Sequence, residues 1–446
     1  MTEGEVQLGE VADLVRGVNF RPSELATEST GAVPLLRATN IGDHTLDLAN
    51  VIYVPTRLVR EAQHLRRFDV VIAMSSGSRK AVGRLAPLRQ TWDGCVGAFC
   101  AAIRPKPDRI DPAYLGYVLQ SADFRERIEA YAVGTAIMNL SKERLLGFRF
   151  GLPPDRVQRR IAHILGTLDD KIELNRRMSE ALEAIARALF KSWFVDFDPV
   201  RAKSEGRDPG LPPHLADLFP GSFEDSELGE IPTGWRLAPL PAVVKVNPPR
   251  SLRKGVVAPY LDMANMPTRG HSPDAVVDRP FGSGMRFQNG DTLVARITPC
   301  LENGKTAYVD FLEPGQVGWG STEYIVLRAE PPLPTEYAYC LARSDEFREF
   351  AIQSMTGSSG RQRVPAESLS YFLAVSPSSE VARLFGTVVH RLLEQASMMT
   401  AQSRTLAALR DALLPDLISG VLHISRSQEE RSVRTLGSRR ESHGVG

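Results

Sequence analysis

The sequence predicts an α+β protein that contains two similar β-rich domains, each followed by a long helix. The first observation is a heptad spacing of apolar residues from Val157 to Phe194, which predicts an amphipathic helix of roughly 60 Å at 1.5 Å per residue. The second observation is that the same pattern returns 224 residues later, from Val381 to Leu413. Because the second helix matches the first in length and pattern, we expect the two to pack as an antiparallel intramolecular coiled coil.

The domain boundaries follow from these helices and from shifts in composition. A segment rich in Pro, Gly and acidic residues after the first helix predicts a linker, and a segment without apolar periodicity at the end predicts disorder. The expected segments are a first β-rich domain (1–153), a first helix (154–197), a linker (198–234), a second β-rich domain (235–378), a second helix (379–422) and a disordered tail (423–446).

Composition indicates an ordinary globular protein. Of the 446 residues, 43% are hydrophobic and 24% are charged, and the net charge is +1, so any nucleic-acid contact would need basic residues gathered on one face. The N-terminal residues lack a signal-peptide pattern, and no apolar stretch reaches membrane-spanning length. The four cysteines have no metal-ligand spacing, so we expect reduced, buried thiols in a cytoplasmic protein.

Within the first domain, three apolar segments are typical of buried strands that lead into loops. They are VPLLRATNIG (33–42), FDVVIAMSSGS (68–78) and GCVGAFCAAIRPK (94–106). A helix is predicted within 111–132, where Asp111 can act as the N-cap. The second domain repeats these segments, for example as APYLDMANM (258–266) and NGDTLVARITP (289–299). Asp291 in the latter takes the place of Asp69.

The apolar positions of the two helices define a predicted contact seam. Its residues are Ile161, Ile164, Leu168, Leu182, Ile185, Leu189, Phe385, Val388, Leu392, Leu406, Leu409 and Leu413. Polar residues interrupt the pattern at Lys171, Asn175, Gln395 and Gln402. They either fix the register of the helix pair or face a partner subunit where the pair opens, and the sequence leaves both interpretations open.

Two similar but diverged domains, held at a fixed separation by paired helices, suit a target with two parts. Duplex DNA is the best candidate, because the spacing of half-sites then follows from the geometry of the protein. A pseudo-two-fold axis between the repeats would match the two-fold symmetry of the duplex backbone. The alternative is a two-headed structural or adaptor protein that binds other proteins.

Two stretches carry a resemblance to a known family. They are ILGTLDDKIELNRRMSEALEAIARALFKSWFVDFDPVRAK (164–203) and SFEDSELGEIPTGW (222–235). With the tandem plan, they make the chain resemble the specificity (S) subunit of type I restriction–modification enzymes, over 8–422. The resemblance implies two target-recognition domains, each of which reads one half of a split DNA site.

The resemblance also implies partners and cofactors. The helices of such subunits dock two methyltransferase (M) subunits, which bind S-adenosylmethionine and methylate adenine, and restriction (R) subunits that use ATP with Mg can join them. The S subunit itself is non-catalytic, so the resemblance implies no catalytic residue, no metal and no cofactor bound by this chain.

The residues themselves give little support to a methyltransferase or an ATPase. Asn247-Pro248-Pro249-Arg250 resembles an adenine-methyltransferase motif, but arginine stands where the motif has an aromatic residue that stacks on the flipped base. The glycine-rich stretch 281–284 precedes a strand pattern rather than the helix that a cofactor loop requires. The sequence also lacks a GxxxxGK[ST] loop.

Candidate DNA contacts are polar and basic side chains in the predicted loops, because such groups can reach base edges and phosphates. In the first domain they are Arg37, Thr39, Asn40, Ser76, Ser78, Arg79, Lys80, Asn139 and Lys142. In the second domain they are Arg296, Thr298, Asn303, Lys305, Ser358, Ser359, Arg361, Gln362 and Arg363. Each of these loops could instead be an exposed polar turn.

Overall fold

The structure is a computed structural model that describes residues 4–29, 31–42, 44–76, 81–131, 138–227, 229–358 and 360–422. The chain forms two compact units. One comprises the described residues up to Lys171 together with those from Leu406 onward, and the other comprises Ile172–Thr405. Each unit therefore holds one β-rich domain and a part of both long helices. The predicted disordered tail (423–446) lies outside the described residues.

The first unit is built on two sheets. Strands β5 (Val70–Ala73) and β9 (Cys100–Pro105) are apolar on both faces because each face packs in a different hydrophobic cluster, and all four residues of β5 are buried. The strands and helices are β1 (Gly4–Gln7), α1 (Leu8–Val11), β2 (Ala12–Arg16), β3 (Ala32–Leu36), β4 (Ile52–Pro55), β5 (Val70–Ala73), β6 (Ser75–Ser76), β7 (Leu85–Pro87), β8 (Cys95–Val96), β9 (Cys100–Pro105), α2 (Pro112–Val118), α3 (Ala122–Tyr131), β10 (Met138–Asn139), α4 (Lys142–Leu146), β11 (Arg149–Leu152) and the first part of α5 (Asp155–Phe194).

The sheet orders are β2-β9-β5-β7 and β4-β3-β8, and β1 pairs with β11. Two predictions for this domain were incomplete. The segment 94–106 forms two strands separated by a turn, and the segment 111–132 forms two helices. The predicted cap is correct, since the Asp111 carboxylate accepts hydrogen bonds from the backbone N–H groups of Ala113 and Tyr114 at 3.0 and 2.9 Å.

The second unit repeats the architecture of the first. Its sheets have the orders β15-β22-β19-β20 and β17-β16-β21-β18, and β14 pairs with β23 as β1 pairs with β11. Its elements are α6 (Asp198–Ser204), α7 (Pro213–Ala216), β12 (Phe223–Ser226), β13 (Gly229–Pro232), β14 (Arg236–Pro239), β15 (Val244–Val246), β16 (Val257–Leu261), β17 (Val277–Pro280), β18 (Met285–Phe287), β19 (Thr292–Ala295), β20 (Thr306–Tyr308), β21 (Gly318–Gly320), β22 (Tyr324–Ala329), α8 (Thr335–Ala342), α9 (Asp345–Gln353), β23 (Leu373–Ser376) and most of α10 (Ser379–Ile418). The predicted repeat of one module is confirmed.

A buried ion pair is common to both domains. Asp69 is fully buried and accepts a hydrogen bond from Arg104 Nη2 at 2.7 Å. Asp291 takes the place of Asp69 in the second repeat. It is also fully buried and pairs with Arg328 Nε at 2.5 Å. Both carboxylates lie at the start of a core strand, so these aspartates brace the fold rather than bind a ligand.

The predicted linker (198–234) is more ordered than expected. It contains two short helices and the β12–β13 hairpin. Phe197, Val200, Phe219 and Ile231 from this segment and its border are buried in the main core of the second unit. The Pro and Gly residues of 198–234 therefore lie in turns between short elements that are packed on the core. The segment belongs to the second unit.

Both long helices span 40 residues. Within the second unit they run antiparallel, since Asn175 contacts Gln402 and Met399, Ser179 contacts Ala396, and Phe190 lies near Phe385. Asn175 and Met399 are 224 residues apart and hold equivalent places in the two repeats. A local pseudo-two-fold axis therefore passes between them.

The predicted seam is correct at one heptad position and wrong at the other. In the first helix, the buried or half-buried series Ile161, Leu168, Asn175, Leu182 and Leu189 agrees with the prediction. The residues of the other heptad series lie one position later in each helix than predicted. Its first-helix positions are Leu165, Ile172, Ser179, Ala186 and Trp193, and its second-helix positions are Val389, Ala396, Ser403, Arg410 and Leu417.

Ile185 and Leu409, which were assigned to the seam, are 49% and 46% exposed. Ile164 and Val388 are only half-buried, and Gln395 is exposed. The reason for the error is that small or polar residues (Ser179, Ala186, Ala396, Ser403 and Arg410) occupy half of the true contact positions, while large apolar residues lie beside several of them.

Buried polar contacts join each domain to its part of the helices. In the first unit, the Tyr117 hydroxyl donates to Asp169 Oδ2 at 2.7 Å, and Arg410 Nη1 donates to Asp169 Oδ1 at 2.8 Å. In the second unit, the Tyr339 hydroxyl donates to Glu183 Oε1 at 2.6 Å. Burial raises the pKa of both tyrosines above the ordinary value of a phenol, so both hydroxyls stay protonated and act as donors to the carboxylates.

None of the helices in the described part of the chain combines the length and the apolar character needed to cross a lipid bilayer.

Candidate nucleic-acid interface

Three segments that are distant in the sequence meet at one end of β5 in the first unit. The backbone N–H of Met74 donates to the carbonyl of Phe99 at 2.8 Å, and the N–H of Leu140 donates to the carbonyl of Met74 at 2.9 Å. Strand β6 then pairs with β10, with Ser76 opposite Met138. This junction brings together the described parts of two predicted DNA-contact loops, 75–76 and 138–142.

The second unit has the same junction at the end of β19. The N–H of Arg296 donates to the carbonyl of Glu323 at 3.0 Å, and the N–H of Val364 donates to the carbonyl of Arg296 at 2.9 Å. Ile297 bridges to Arg363 in antiparallel fashion. The predicted contact loops at 296–298 and 358–363 therefore also lie side by side, in the same way as their counterparts in the first unit.

The side chains at the two junctions differ. In the second unit, Glu323 accepts hydrogen bonds from Arg363 Nε at 2.8 and 2.9 Å, and Arg296 Nε lies 3.7 Å from the same carboxylate. In the first unit, the position equivalent to Glu323 is Phe99, whose side chain is 69% exposed. One junction thus carries a charged cluster and the other an exposed aromatic ring.

Sequence reasoning missed both Phe99 and Glu323. Phe99 falls in a stretch predicted as one continuous strand, whereas the structure has a turn at this point between β8 and β9. Gly97 was the available signal of a break, because glycine inside a strand pattern often marks a bend.

Two predicted DNA-contact residues have structural roles instead. Asn40 is buried, and its Nδ2 donates to the carbonyls of Asp47 and Asn50 at 3.2 and 2.8 Å, so it closes its own loop. Lys305 Nζ donates to the carbonyls of Met263 and Ala264. Both side chains therefore have hydrogen-bond partners within the domain, which argues against a DNA contact for the buried Asn40, while the contact predicted for the half-buried Lys305 stays a prediction.

Most of the other predicted residues with described side chains remain accessible. Thr298 is half-buried and its hydroxyl lies 3.6 Å from Met355 Sδ, and Gln362 is half-buried. The exposed ones are Arg37, Thr39, Lys142, Asn303, Ser358 and Arg361. Ser78, Arg79, Lys80 and Ser359 lie outside the described residues, as do the side chains of Ser76 and Asn139.

The methyltransferase-like motif is a structural turn. Asn247 has a positive φ of 51°, and its Oδ1 accepts a hydrogen bond from the N–H of Val326 at 2.9 Å. Arg250 Nη2 lies 3.1 Å from the buried Asp291 carboxylate. The motif thus anchors the chain to the sheet after β15 through Asn247 Oδ1 and Arg250 Nη2.

The described residues include no group of three or more His, Cys, Asp or Glu side chains arranged to hold a metal ion. Burial raises the pKa of Cys95 and Cys100 to about 12, so these thiols stay protonated at neutral pH and are poor nucleophiles and ligands. Cys340 is also buried, whereas Cys300 is only half-buried, which is more accessible than expected.

Comparison with known proteins shows what the chain is similar to. Residues 3–184 match the family described as "Type I restriction modification DNA specificity domain". The chain is 32% identical over 178 residues to the type I restriction enzyme StySPI specificity subunit of Salmonella potsdam, which covers 40% of this chain and 38% of that protein. The matched region therefore spans less than half of the length of that relative.

A longer match covers 366 residues of the type I restriction enzyme HindI specificity subunit of Haemophilus influenzae at 25% identity, which is 71% of this chain and 79% of that protein. The crystal structure of a type I restriction-modification system S subunit from M. genitalium has the same fold, with a TM-score of 0.52 and 14% identity over 95% of this chain and 97% of that one. The chain therefore resembles type I restriction–modification specificity subunits in sequence, and it shares the fold of one such subunit over nearly its whole length.

Proposed function

We propose that this chain is the non-catalytic DNA sequence-specificity subunit of a type I restriction–modification complex. In this proposal it recognises a bipartite duplex DNA site, and each β-rich domain acts as a target-recognition domain that reads one half. The observation that carries the proposal is that both domains have the same three-segment backbone junction but different side chains on it. A common scaffold with variable contact residues suits two domains that read different bases.

The chemistry of the junctions supports DNA as the target. Base edges are read by Arg, Lys, Asn, Gln, Ser and Thr, while phosphates are contacted by the same groups and by backbone N–H. Around the second junction, Arg361, Arg363 and Ser358 lie on a hairpin tip closed by hydrogen bonds between Thr356 and Arg363 at 2.9 Å. The net charge of the chain is only +1, so such a local basic cluster is what a DNA-binding role requires.

We further propose that the long helices dock two methyltransferase subunits, and that restriction subunits can join the complex. In support, the outer face of α5 carries Leu174, Met178 and Ile185, which are 49%, 40% and 49% exposed. These apolar side chains share the surface with an ion-pair network in which Arg176 contacts Glu173 and Glu180 at 2.8 and 2.5 Å. An exposed apolar stripe with a polar border is typical of a protein interface.

The same proposal assigns the cofactors to the partners. S-adenosylmethionine would be bound by the methyltransferase subunits, and ATP with Mg by the restriction subunits, in the cytoplasm where the DNA is. This chain would supply only the recognition of sequence and the scaffold for assembly.

The proposal is tested by expressing the chain together with its neighbouring methyltransferase subunit and by mapping methylated adenines across the host genome. We expect methylation within one split motif, made of two specified parts separated by unspecified bases. The methyltransferase subunit expressed without this chain serves as the control and should leave that motif unmethylated. If the complex assembles but adds no methylation, or methylates without sequence preference, the proposed function is wrong.

A further inference from the structure

Phe99 and Glu323 occupy the same place in the two domains. Each lies in a short turn, one residue before a core strand, and each backbone carbonyl accepts the hydrogen bond from the residue that follows β5 or β19. The N–H donors are Met74 in the first domain, at 2.8 Å, and Arg296 in the second, at 3.0 Å. The same backbone hydrogen bond therefore holds both turns, whereas the side chains on the two turns differ.

The side chain of Phe99 lies mostly outside the core of its domain. At 69% exposure it adds little to the core, whereas most large apolar side chains of this domain are buried. It extends from a turn held against Met74 and Ser75, whose N–H lies 3.2 Å from the Phe99 carbonyl. An exposed aromatic ring on a turn that backbone hydrogen bonds hold in place offers an apolar contact surface to a ligand.

Glu323 presents a different chemistry at the same point. Its carboxylate is bound by both Nε and Nη2 of Arg363 and also attracts Arg296. The cluster thus has one carboxylate for two guanidinium groups and keeps a net positive charge. Arg296 is 29% exposed, and its buried Nε has no hydrogen-bond partner among the described residues.

An arginine held in this way is prepared for a planar acceptor. The Glu323 carboxylate lies 3.7 Å from Arg296 Nε and by attraction favours the orientations of the guanidinium group that face it, so less side-chain entropy is lost when the group binds. In the DNA major groove, arginine pairs best with the O6 and N7 acceptors of guanine, whereas apolar side chains contact the methyl group of thymine.

We propose that this shared position determines one base in each half of the DNA site. Phe99 makes an apolar contact that selects thymine in the half read by the first domain. Glu323 orients Arg296, which selects guanine in the half read by the second domain. This inference rests on the proposed function and adds to it the positions and the bases.

The first test uses Phe99→Ala in the full chain, assembled with its methyltransferase subunit, with Leu25→Ala as the matched control. Leu25 is 46% exposed in the same domain, and the next residue, Ala26, bridges to Tyr53 in β4. Binding is measured against a set of duplexes in which each position of the site is varied. We expect Phe99→Ala to lower the preference for one thymine by about 5- to 10-fold, since the methyl contact is lost. The other half of the site and the melting temperature should not change.

The second test uses Glu323→Gln and Arg296→Lys, with Glu313→Gln as the control, because Glu313 is an exposed glutamate of the same domain. Arg296→Lys retains the charge but loses the planar fork, so we expect a loss of about 5- to 100-fold in the preference for one guanine of the second half. Glu323→Gln should weaken the same preference while the first half keeps its specificity.

The outcomes separate the inference from the proposed function. If the unaltered complex recognises a split site and the variants retain its full base preferences, the inference is wrong and the proposed function stands. The inference is also overturned if either single variant changes bases in both halves. If the unaltered complex shows no sequence preference, the proposed function itself fails.

Discussion

Asn175 is a fully buried polar residue at the local two-fold axis of the helix pair. Its Nδ2 donates to Gln402 Oε1 at 2.8 Å, but its Oδ1 is buried without a hydrogen-bond partner among the described residues. Such a group costs stability and is retained where a single polar residue specifies the register of two helices. Gln402 is exposed at the edge of the contact, so two of the four polar residues that the sequence placed in the seam act as a pair.

We expect Asn175→Leu to raise the free energy of unfolding by about 1–3 kcal/mol, because an unsatisfied buried acceptor is removed and apolar contact is gained. Urea denaturation of the isolated chain measures this change. Gln395→Leu is the control, since Gln395 was placed in the same seam but is exposed, and it should change stability by less than about 0.5 kcal/mol. A clear loss of stability in the Asn175 variant would show that the amide is needed for more than register.

At the scale of single elements, the heptad spacing of apolar residues predicted some contact positions of the long helices correctly and others wrongly. Length, antiparallel pairing and one heptad position could be predicted, because large apolar residues recur every seven residues in both repeats. The second position could not, because it is filled by Ser179, Ala186 and Ser403, which a hydrophobic pattern does not select. Small side chains at a contact let two backbones approach closely, so burial there depends on the partner helix.

Because the contact positions lie one residue later than predicted, we expect opposite effects on stability from substitutions at two neighbouring residues. Ala186 is fully buried in the main core of the second unit, so Ala186→Glu should cost about 3 kcal/mol or more by burying a charge without a partner. Ile185 is 49% exposed, so Ile185→Glu should change the stability of the isolated chain by no more than about 1 kcal/mol. Thermal unfolding of both variants shows whether Ala186 or Ile185 lies in the helix contact. A larger loss of stability in the Ile185 variant than in the Ala186 variant would support the seam predicted from the sequence.

The β-rich elements could be predicted as a repeat, but their junctions could not. The matching segments revealed two copies of one fold, and the buried pair Asp69–Arg104 recurs as Asp291–Arg328. The junctions depend on backbone hydrogen bonds between segments about as far apart as Met74 and Leu140, which leave no trace in local periodicity. For the same reason Phe99 was hidden inside an apparent strand.

At the scale of the whole molecule, the proposed spacing of half-sites depends on the length of the paired helices. Inserting one heptad after Asn175 and another after Met399 keeps the seam in phase in both helices. Each helix then grows by about 10 Å. We therefore expect the unspecified spacer of the DNA site to lengthen by up to about three base pairs, at 3.4 Å per base pair along one strand.

Methylation mapping of the lengthened chain measures the spacer, and both specified half-sites should keep their bases. The matched control carries the heptad in one helix only, which leaves unpaired seam positions and should impair folding or assembly. A lengthened chain that methylates at the original spacing would contradict the assignment of spacing to the helices.

The core of the first unit joins Leu8 and Ile161 to Leu414 and Leu417, so it is assembled from both parts of the chain. During translation, the first domain emerges long before the second helix exists. At about 5–20 residues per second, its apolar helix face stays uncovered for roughly 10–50 s while the second unit is synthesised. The first domain therefore completes its core only after the second unit has been made, and we expect proteases to remove nascent chains that stop before Leu406.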